Sequence, residues 1–122
     1  MGNYAESSGA KIYFQMRGQG DPLVLIMGFG AEGKVWEKHV AKYEKYFNCI
    51  LIDNRGVGLS DQPIGPYTTE MMAYDTIAVM DYLGIEKARV AGISMGGAIT
   101  QQLALNHACL LYTSPSPRDA TL

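Results

Sequence analysis

The period of the hydrophobic pattern changes along the chain, and its first part predicts two strands. Polar and apolar residues alternate over Ile12–Met16, which indicates a half-exposed strand, whereas Leu23–Met27 is a continuous apolar run typical of a strand buried on both faces. The turn-forming segment from Gly18 to Pro22 lies between them. The pattern therefore predicts that these two strands form an antiparallel hairpin.

Three helices and two further strands are predicted after this hairpin. Helical spacing of apolar residues predicts a helix over "KVWEKHVAKYEKYF", and "MGGAITQQLALNH" predicts another near the end of the chain. A third helix begins at Thr68 or Thr69, followed by Glu70, and stops at Gly84. The buried strands are "NCILID" and "ARVAGI". The helix before "NCILID" has an apolar face formed by Trp36, Val40, Tyr43 and Phe47. The apolar face of the helix that begins at Thr68 or Thr69 is formed by Met72, Ile77, Met80 and Leu83.

This alternation of strands and helices defines the fold class. Strands joined by helices of this length require right-handed crossovers and neighbouring parallel strands. We therefore predict an α/β fold in which an antiparallel hairpin leads into a mostly parallel sheet with helices on both faces.

Composition and charge narrow the class of protein. At 122 residues, with 48% hydrophobic and 18% charged residues, the chain is expected to form at most one globular domain. A net charge of −2 gives no electrostatic reason to bind nucleic acid or an anionic membrane. The first residues lack a signal-peptide core and no run is long enough to span a membrane, so we expect a cytoplasmic protein. Cys49 and Cys109 form no metal-binding pattern, and Cys49 is expected to be a buried, unreactive thiol.

Glycines directly after the second strand allow a dinucleotide-binding interpretation. Gly28, Gly30 and Gly33 have the spacing G-x-G-x-x-G, and Asp53 ends the next strand twenty residues after Gly33, where a ribose-binding carboxylate would lie. Glu32 argues against this interpretation, because it would place a carboxylate beside a bound pyrophosphate.

Gly28, Gly33 and Lys34 match all but the last position of a phosphate-binding P-loop. Val35 stands where that motif requires a Ser or Thr hydroxyl to bind Mg²⁺, and a methyl group does not bind a metal ion. This interpretation is therefore rejected.

A second glycine motif points to different chemistry. Gly92, Ser94 and Gly96 form the pattern G-x-S-x-G at a predicted junction of strand and helix. A nucleophilic serine on such a sharp turn needs small residues two positions away on each side. The amide of Met95 would donate to a negative oxygen that forms beside Ser94.

A second amide donor is expected from a neighbouring strand end. The glycines around Phe29 allow its backbone N–H to turn into the same site, so this loop would bind a developing oxyanion instead of a phosphate. The ring of Phe29 is a candidate wall of an acyl pocket. Under this interpretation Asp53 is a loop and capping residue.

These motifs together resemble the α/β-hydrolase superfamily, in its esterase, enol-lactonase and haloperoxidase-like branch. The resemblance covers about Ile12 to Ala108 and is carried by "PLVLIMGFG", "DNRGVGLSDQP", "YTTEMMAYDTIAVMDYLGIEKA" and "VAGISMGG" in that order. It implies an N-terminal fragment of the fold, truncated after the helix that follows Ser94. It also implies a serine hydrolase of small esters or lactones that needs no cofactor or metal, with Ser94 as nucleophile and the Phe29 and Met95 amides as oxyanion donors. Met27 stands where the family commonly has His, which leaves the backbone donor intact.

The family's catalytic Asp or Glu and its His lie well downstream of the serine, and this chain stops before either. His107 follows Ser94 by thirteen residues on the same predicted helix, about 20 Å away at ~1.5 Å per residue. His39 is expected to be a solvated surface residue. The 122-residue chain is therefore predicted to be inactive.

Several other residues are assigned structural roles. Arg55 is expected to hold the Gly-rich loop by hydrogen bonds. Ser60 and Asp53 are likewise expected to have structural roles in this loop. Tyr74, Met80 and Tyr82 are expected to lie in the core.

The last residues differ in character from the rest. "CLLYTSPSPRD", from Cys109 to Asp119, resembles a translated transposase adapter used in sequencing-library preparation. We therefore expect residues 1–108 to be an incomplete core domain and residues 109–122 to be a non-native tail.

Two functions from other classes remain as alternatives to the hydrolase. One is a dinucleotide-binding oxidoreductase fragment that uses Gly28, Gly30, Gly33 and Asp53. The other is a non-catalytic α/β binding module built on the same junction.

Overall fold

The computed structural model describes residues 3–26, 37–92, 95–107 and 109 of the chain. These residues form five strands and three helices, which alternate from the third strand onward. They are β1 (Asn3–Ser7), β2 (Ala10–Arg17), β3 (Asp21–Ile26), α1 (Glu37–Tyr43), β4 (Phe47–Ile52), α2 (Thr69–Tyr82), β5 (Arg89–Gly92) and α3 (Met95–Asn106).

The strands form one mixed sheet in the order β1-β2-β4-β3-β5. The pairs β1–β2 and β2–β4 are antiparallel, whereas β3 pairs in parallel with both β4 and β5. The predicted α/β class, with an antiparallel hairpin that leads into parallel strands, is confirmed.

The composition of the hairpin differs from the prediction. The hairpin is formed by β1 and β2, and β1 was not expected. The two strands predicted to pair, β2 and β3, are separated by β4. Their connection crosses the start of β4 so closely that a methyl group on Gly18 would lie 2.4 Å from the Phe47 carbonyl oxygen. The turn glycines therefore permit a crossing over a third strand.

Each parallel strand contributes alternate side chains to two cores. In β3, Val24 and Ile26 face the layer formed by α2 and α3, while Leu23 and Leu25 face the layer formed by α1. All four are at most 7% exposed, which explains why this strand is a continuous apolar run. In β4, Ile50 and Ile52 join the first core, and Cys49 and Leu51 join the second.

Helix α2 begins and ends at the capping residues that the sequence indicates. The Thr68 hydroxyl accepts a hydrogen bond from the Met71 amide at 3.0 Å and caps the first turn. At the other end Gly84 has a φ of 70°, and the Ile85 amide donates to the Met80 carbonyl at 2.9 Å. This arrangement ends the helix in the left-handed conformation that glycine favours.

Helix α1 ends earlier than predicted, and the first part of the predicted helix lies outside the described residues. The helix ends at Tyr43, and Phe47 is the first residue of β4. Val40 is buried as expected, but Trp36 lies outside the described residues. The expectation that Tyr74 and Tyr82 lie in the core was wrong, because their exposed fractions are 49% and 62%, whereas Met80 is buried. Apolar side chains next to them on α2 already fill the space above the sheet.

Candidate functional site

The carboxyl ends of the three parallel strands lie side by side at one edge of the sheet. Ile26 at the end of β3 is paired with Ile52 of β4 on one side and with Gly92 of β5 on the other. The chain passes from β3 to β4 on one side and then to β5 on the other, so the strand order reverses between β3 and β5. Ligands of open α/β sheets bind at such a switch point.

Both segments predicted to carry the site leave from this switch point. Ser94 lies in the two-residue gap between the end of β5 and the start of α3, and Phe29 follows the end of β3. Ser94, Phe29 and the glycines at positions 28, 30 and 33 all lie outside the described residues. Their roles stay predictions, and so does the role of the Met95 amide, although α3 begins at Met95 as predicted.

The junction of β5 and α3 has no room for a side chain at position 92. A methyl group on Gly92 would lie 2.1 Å from the Gly96 carbonyl oxygen and 2.6 Å from the Thr100 Oγ1. Both distances are far shorter than a van der Waals contact, so glycine is required at this position. The end of the strand and the first turns of the helix therefore touch backbone to backbone, as the G-x-S-x-G pattern predicts.

Helix α3 presents its N-terminus at this edge of the sheet. The helix is twelve residues long and packs against β5 and α2. Amide groups in the first turn of a helix have no partner within the helix, and the helix dipole favours negative charge there. The first turn of α3 contains no acidic residue that would compete with an anion.

Asp53 and Ser60 organise the loop that follows β4. The Asp53 carboxylate accepts a hydrogen bond from the Leu59 amide at 3.0 Å, and Asp53 is 5% exposed. The Ser60 hydroxyl donates to the Asp53 carbonyl at 2.6 Å and accepts from the Tyr13 amide at 2.7 Å. The buried Asp53 is thus a loop residue, as expected, and its carboxylate is already engaged by this loop.

Arg55 is held in a buried ionic network, as the prediction that it holds the loop requires. Its guanidinium donates two hydrogen bonds of 2.7 Å to the two carboxylate oxygens of Asp75 on α2. The Ser7 hydroxyl donates to the same carboxylate at 2.6 Å, and the Ser7 carbonyl accepts from Arg55 at 3.3 Å. Both charged side chains are at most 5% exposed.

The surroundings of Arg55 keep it charged. Its hydrogen bonds to Asp75 raise the pKa of Arg55 above its ordinary value, although burial opposes the rise. The guanidinium also lies 6.0 Å from the centre of the Tyr67 ring, within the range of a cation–π contact. A side chain this fully paired stabilises the loop and is not available to substrate.

Neither histidine of the chain is placed to act as a base at the junction. His107 lies just beyond the far end of α3, where its ring contacts Tyr74 edge to face at 5.2 Å. The twelve residues of α3 separate it from the junction by about 18 Å at ~1.5 Å per residue. His39 is exposed on α1, on the side of the sheet opposite to α2 and α3.

Cys49 is a buried core residue in β4. Burial raises the pKa of the Cys49 thiol above its ordinary value, and the nearby charge of Glu44 adds to the rise. A thiol held in its protonated form is a poor nucleophile.

Within residues 3–26, 37–92, 95–107 and 109, no group of three or more His, Cys, Asp or Glu side chains could hold a metal ion. No helix in this part of the chain is long and apolar enough to cross a membrane.

Sequence reasoning missed two residues that support the site. Asp75 and Thr100 are both fully buried on helices, and neither was singled out. Asp75 had a detectable signal, because it interrupts the apolar face of α2 beside Met72 and Val79. A buried acid in that position requires a cationic partner, and Arg55 lies twenty residues earlier.

Comparison with known proteins assigns the family. A family model described as the alpha/beta hydrolase fold matches residues 21–117. The chain therefore belongs to the α/β-hydrolase fold family, as the resemblance implied. The match continues past Ala108, so the expected boundary of a non-native tail stays a prediction.

Two curated relatives and one solved structure illustrate the similarity. The chain is 43% identical over 88 residues to the putative non-heme bromoperoxidase BpoC of Mycobacterium tuberculosis, which covers 70% of this chain and 33% of the relative. It is 37% identical over 91 residues to 3-oxoadipate enol-lactonase 2 of Acinetobacter baylyi. That alignment covers 73% of this chain and 34% of the relative. The solved structure of Est816, an N-acyl homoserine lactone degrading enzyme, superposes with a TM-score of 0.86 at 35% identity, over 89% of this chain and 42% of that one. The chain thus spans about a third of the length of these curated relatives.

Proposed function

We propose that the full-length protein is a serine hydrolase that cleaves a small carboxylic ester or lactone through an acyl-enzyme. The steric exclusion at Gly92 carries this proposal, because it fits the sharp turn on which a nucleophilic serine is displayed. The enol-lactonase and the lactone-degrading enzyme among the similar proteins favour a lactone or ester as substrate.

The reaction follows from the proposed positions of the groups. Ser94 Oγ bonds to the substrate carbonyl carbon while its proton passes to a histidine base, and the electron pair of the C=O bond moves to the oxygen. The Met95 and Phe29 amides stabilise that oxyanion. Collapse of the intermediate breaks the ester C–O bond, and the alkoxide leaves with the proton from histidine. Water then releases the acid from Ser94 by the same steps.

The base and its carboxylate partner are assigned to parts of the full-length protein outside this chain. A base must approach the hydroxyl to about 3 Å. His39 and His107, the two histidines of the chain, are on other parts of the fold. The 122-residue chain alone is therefore expected to lack hydrolase activity.

Two observations weigh against the dinucleotide-binding alternative. Its carboxylate, Asp53, is buried and accepts a hydrogen bond from the Leu59 amide. In addition, β5 lies next to β3, whereas in the usual dinucleotide-binding order the third parallel strand lies next to the second.

The proposal is tested by reaction of the full-length protein with a fluorophosphonate probe. Ser94 Oγ should bond to phosphorus as fluoride leaves, and the variant Ser94→Ala should not be labelled. The variant Ser60→Ala is the matched control, because Ser60 is a buried loop serine that already bonds Asp53 and Tyr13. It should keep its labelling. Labelling that persists in Ser94→Ala, or a thermal shift with NAD and no labelling of the unchanged protein, would contradict the hydrolase. An unlabelled but folded protein would favour the non-catalytic binding module.

A further inference from the structure

One side chain outside the G-x-S-x-G motif touches the end of β5. Thr100 lies on α3, one helical turn after Gly96, and is fully buried. Its hydroxyl donates a hydrogen bond of 2.9 Å to the Gly96 carbonyl oxygen. Residues 92, 96 and 100 thus form a column of contacts from the strand end into the helix.

The position of the hydroxyl fits the close approach at Gly92. A methyl group on Gly92 would lie 2.6 Å from Thr100 Oγ1, so this oxygen lies directly over the face of Gly92. A hydroxyl bonded to Gly96 fits there more easily than a methyl group, because its oxygen is smaller and is drawn toward its acceptor. The side chain therefore fills the space between strand and helix and also holds the Gly96 carbonyl.

A comparable threonine on another helix shows which part of this arrangement is ordinary. Thr76 on α2 is also fully buried, and its hydroxyl donates to the Met72 carbonyl one turn earlier at 3.2 Å. Such bonds to the preceding turn are common in helices. What distinguishes Thr100 is its contact with the strand end next to the predicted nucleophile.

We propose that Thr100 is a positioning residue for the catalytic serine. It holds the first turn of α3 against Gly92, and so fixes the two ends of the chain that flank Ser94. Only two residues lie between Gly92 and Met95 in the sequence, so a shift of either end moves the serine relative to the Met95 amide. This inference rests on the proposed hydrolase function.

The test measures the fluorophosphonate labelling rate of folded, full-length variants. Thr100→Val removes the hydrogen bond and places a methyl group against Gly92, and it should slow labelling by about tenfold or more, as expected for a displaced nucleophile. Thr100→Ser keeps the hydroxyl and should restore a rate close to that of the unchanged protein. Thr76→Val is the matched control and should lower the melting temperature without slowing labelling.

A second variant keeps the test decisive if Thr100→Val does not fold. Thr100→Ala adds no bulk, and it should label more slowly than Thr100→Ser at a temperature where both are folded. Equal labelling rates in Ala and Ser variants, with only melting temperatures changed, would overturn the positioning role. If those rates are equal while the unchanged protein is labelled and Ser94→Ala is not, the hydrolase stands and only the role of Thr100 is removed. If Ser94→Ala is labelled like the unchanged protein, both proposals fail.

Discussion

At the scale of single residues, position 92 shows how a motif follows from packing. The end of β5 passes the first turn of α3 so closely that a methyl group would lie 2.1 Å from a backbone oxygen. A helix carbonyl cannot move away without breaking the hydrogen bonds of its own turn. The small residue at position 92 is therefore a steric requirement of the junction.

We expect Gly92→Ala to destabilise the full-length protein by more than an ordinary glycine substitution does. Overpacking typically costs about 1–3 kcal/mol and occasionally more, and an approach of 2.1 Å to a backbone oxygen places Gly92→Ala at about 3 kcal/mol or above. The control is Gly84→Ala at the end of α2, where φ is 70° and nothing lies within 4 Å of an added methyl group. That variant should lose only about 1–2 kcal/mol, the cost of the left-handed conformation. Urea denaturation measures the free energy of unfolding of both variants. Equal losses in the two would contradict the prediction, because they would show that the contact at Gly92 is easily relieved.

Not every residue of the site could be assigned from sequence. Arg55 was correctly predicted to hold its loop, because an arginine in a Gly-rich loop needs partners to fix it. Its partner Asp75 was not identified, since the pair joins a loop to a helix twenty residues away. Ser94 and Phe29 stay predictions from the motif and its place at the strand ends.

At the scale of elements, the pair Arg55–Asp75 joins three parts of the fold. The carboxylate on α2 binds the loop after β4 through Arg55 and the hairpin strand β1 through Ser7. Removal of one partner from a buried ion pair leaves an uncompensated charge in the interior. The intact pair therefore fixes how these elements meet, because breaking it would leave one charged group unpaired in the interior.

We expect Arg55→Met to lower the free energy of unfolding of the full-length protein by about 3–5 kcal/mol, because Asp75 is left buried without its cation. Arg17→Met is the matched control. Arg17 pairs with Glu44 at 3.2 Å, but their side chains are 40% and 32% exposed. Solvent screening limits such a pair to about 0–1 kcal/mol. Similar losses in both variants, measured by urea denaturation, would contradict a special role for the buried pair.

The elements themselves were predictable where the pattern is strong. Strands β3 and β4 are long apolar runs, and α2 carries a threonine cap and a terminal glycine, so all three were predicted close to their observed bounds. Strand β1 was missed because its buried positions are Ala5 and Ser7, which give no hydrophobic signal. Phe47 fits both a helical period and the start of β4, and the strand pairing decided between them.

At the scale of the whole molecule, sheet order could not be obtained from local pattern. The pairing of β2 with β4 brings residues 14 and 52 together across an intervening strand and helix. Neighbours in sequence, β2 and β3, were therefore wrongly paired. Once this order is known, the ends of β3 and β5 are adjacent, and the two segments predicted to bind the oxyanion leave from neighbouring strands.

This strand order supports the proposed serine hydrolase function of the full-length protein. The sheet fixes two strand ends, the Gly92 contact sets the start of α3, and the helix dipole favours negative charge where Ser94 is proposed to react. The described residues of this chain hold these supports, although the chain spans about a third of its curated relatives.

The most direct test of the account is a crystal structure of the full-length protein after reaction with a fluorophosphonate. We predict a phosphorus atom bonded to Ser94 Oγ, with a phosphonyl oxygen about 2.7–3.1 Å from the Met95 and Phe29 amide nitrogens. An adduct on another residue, or a phosphonyl oxygen directed away from the N-terminus of α3, would contradict it.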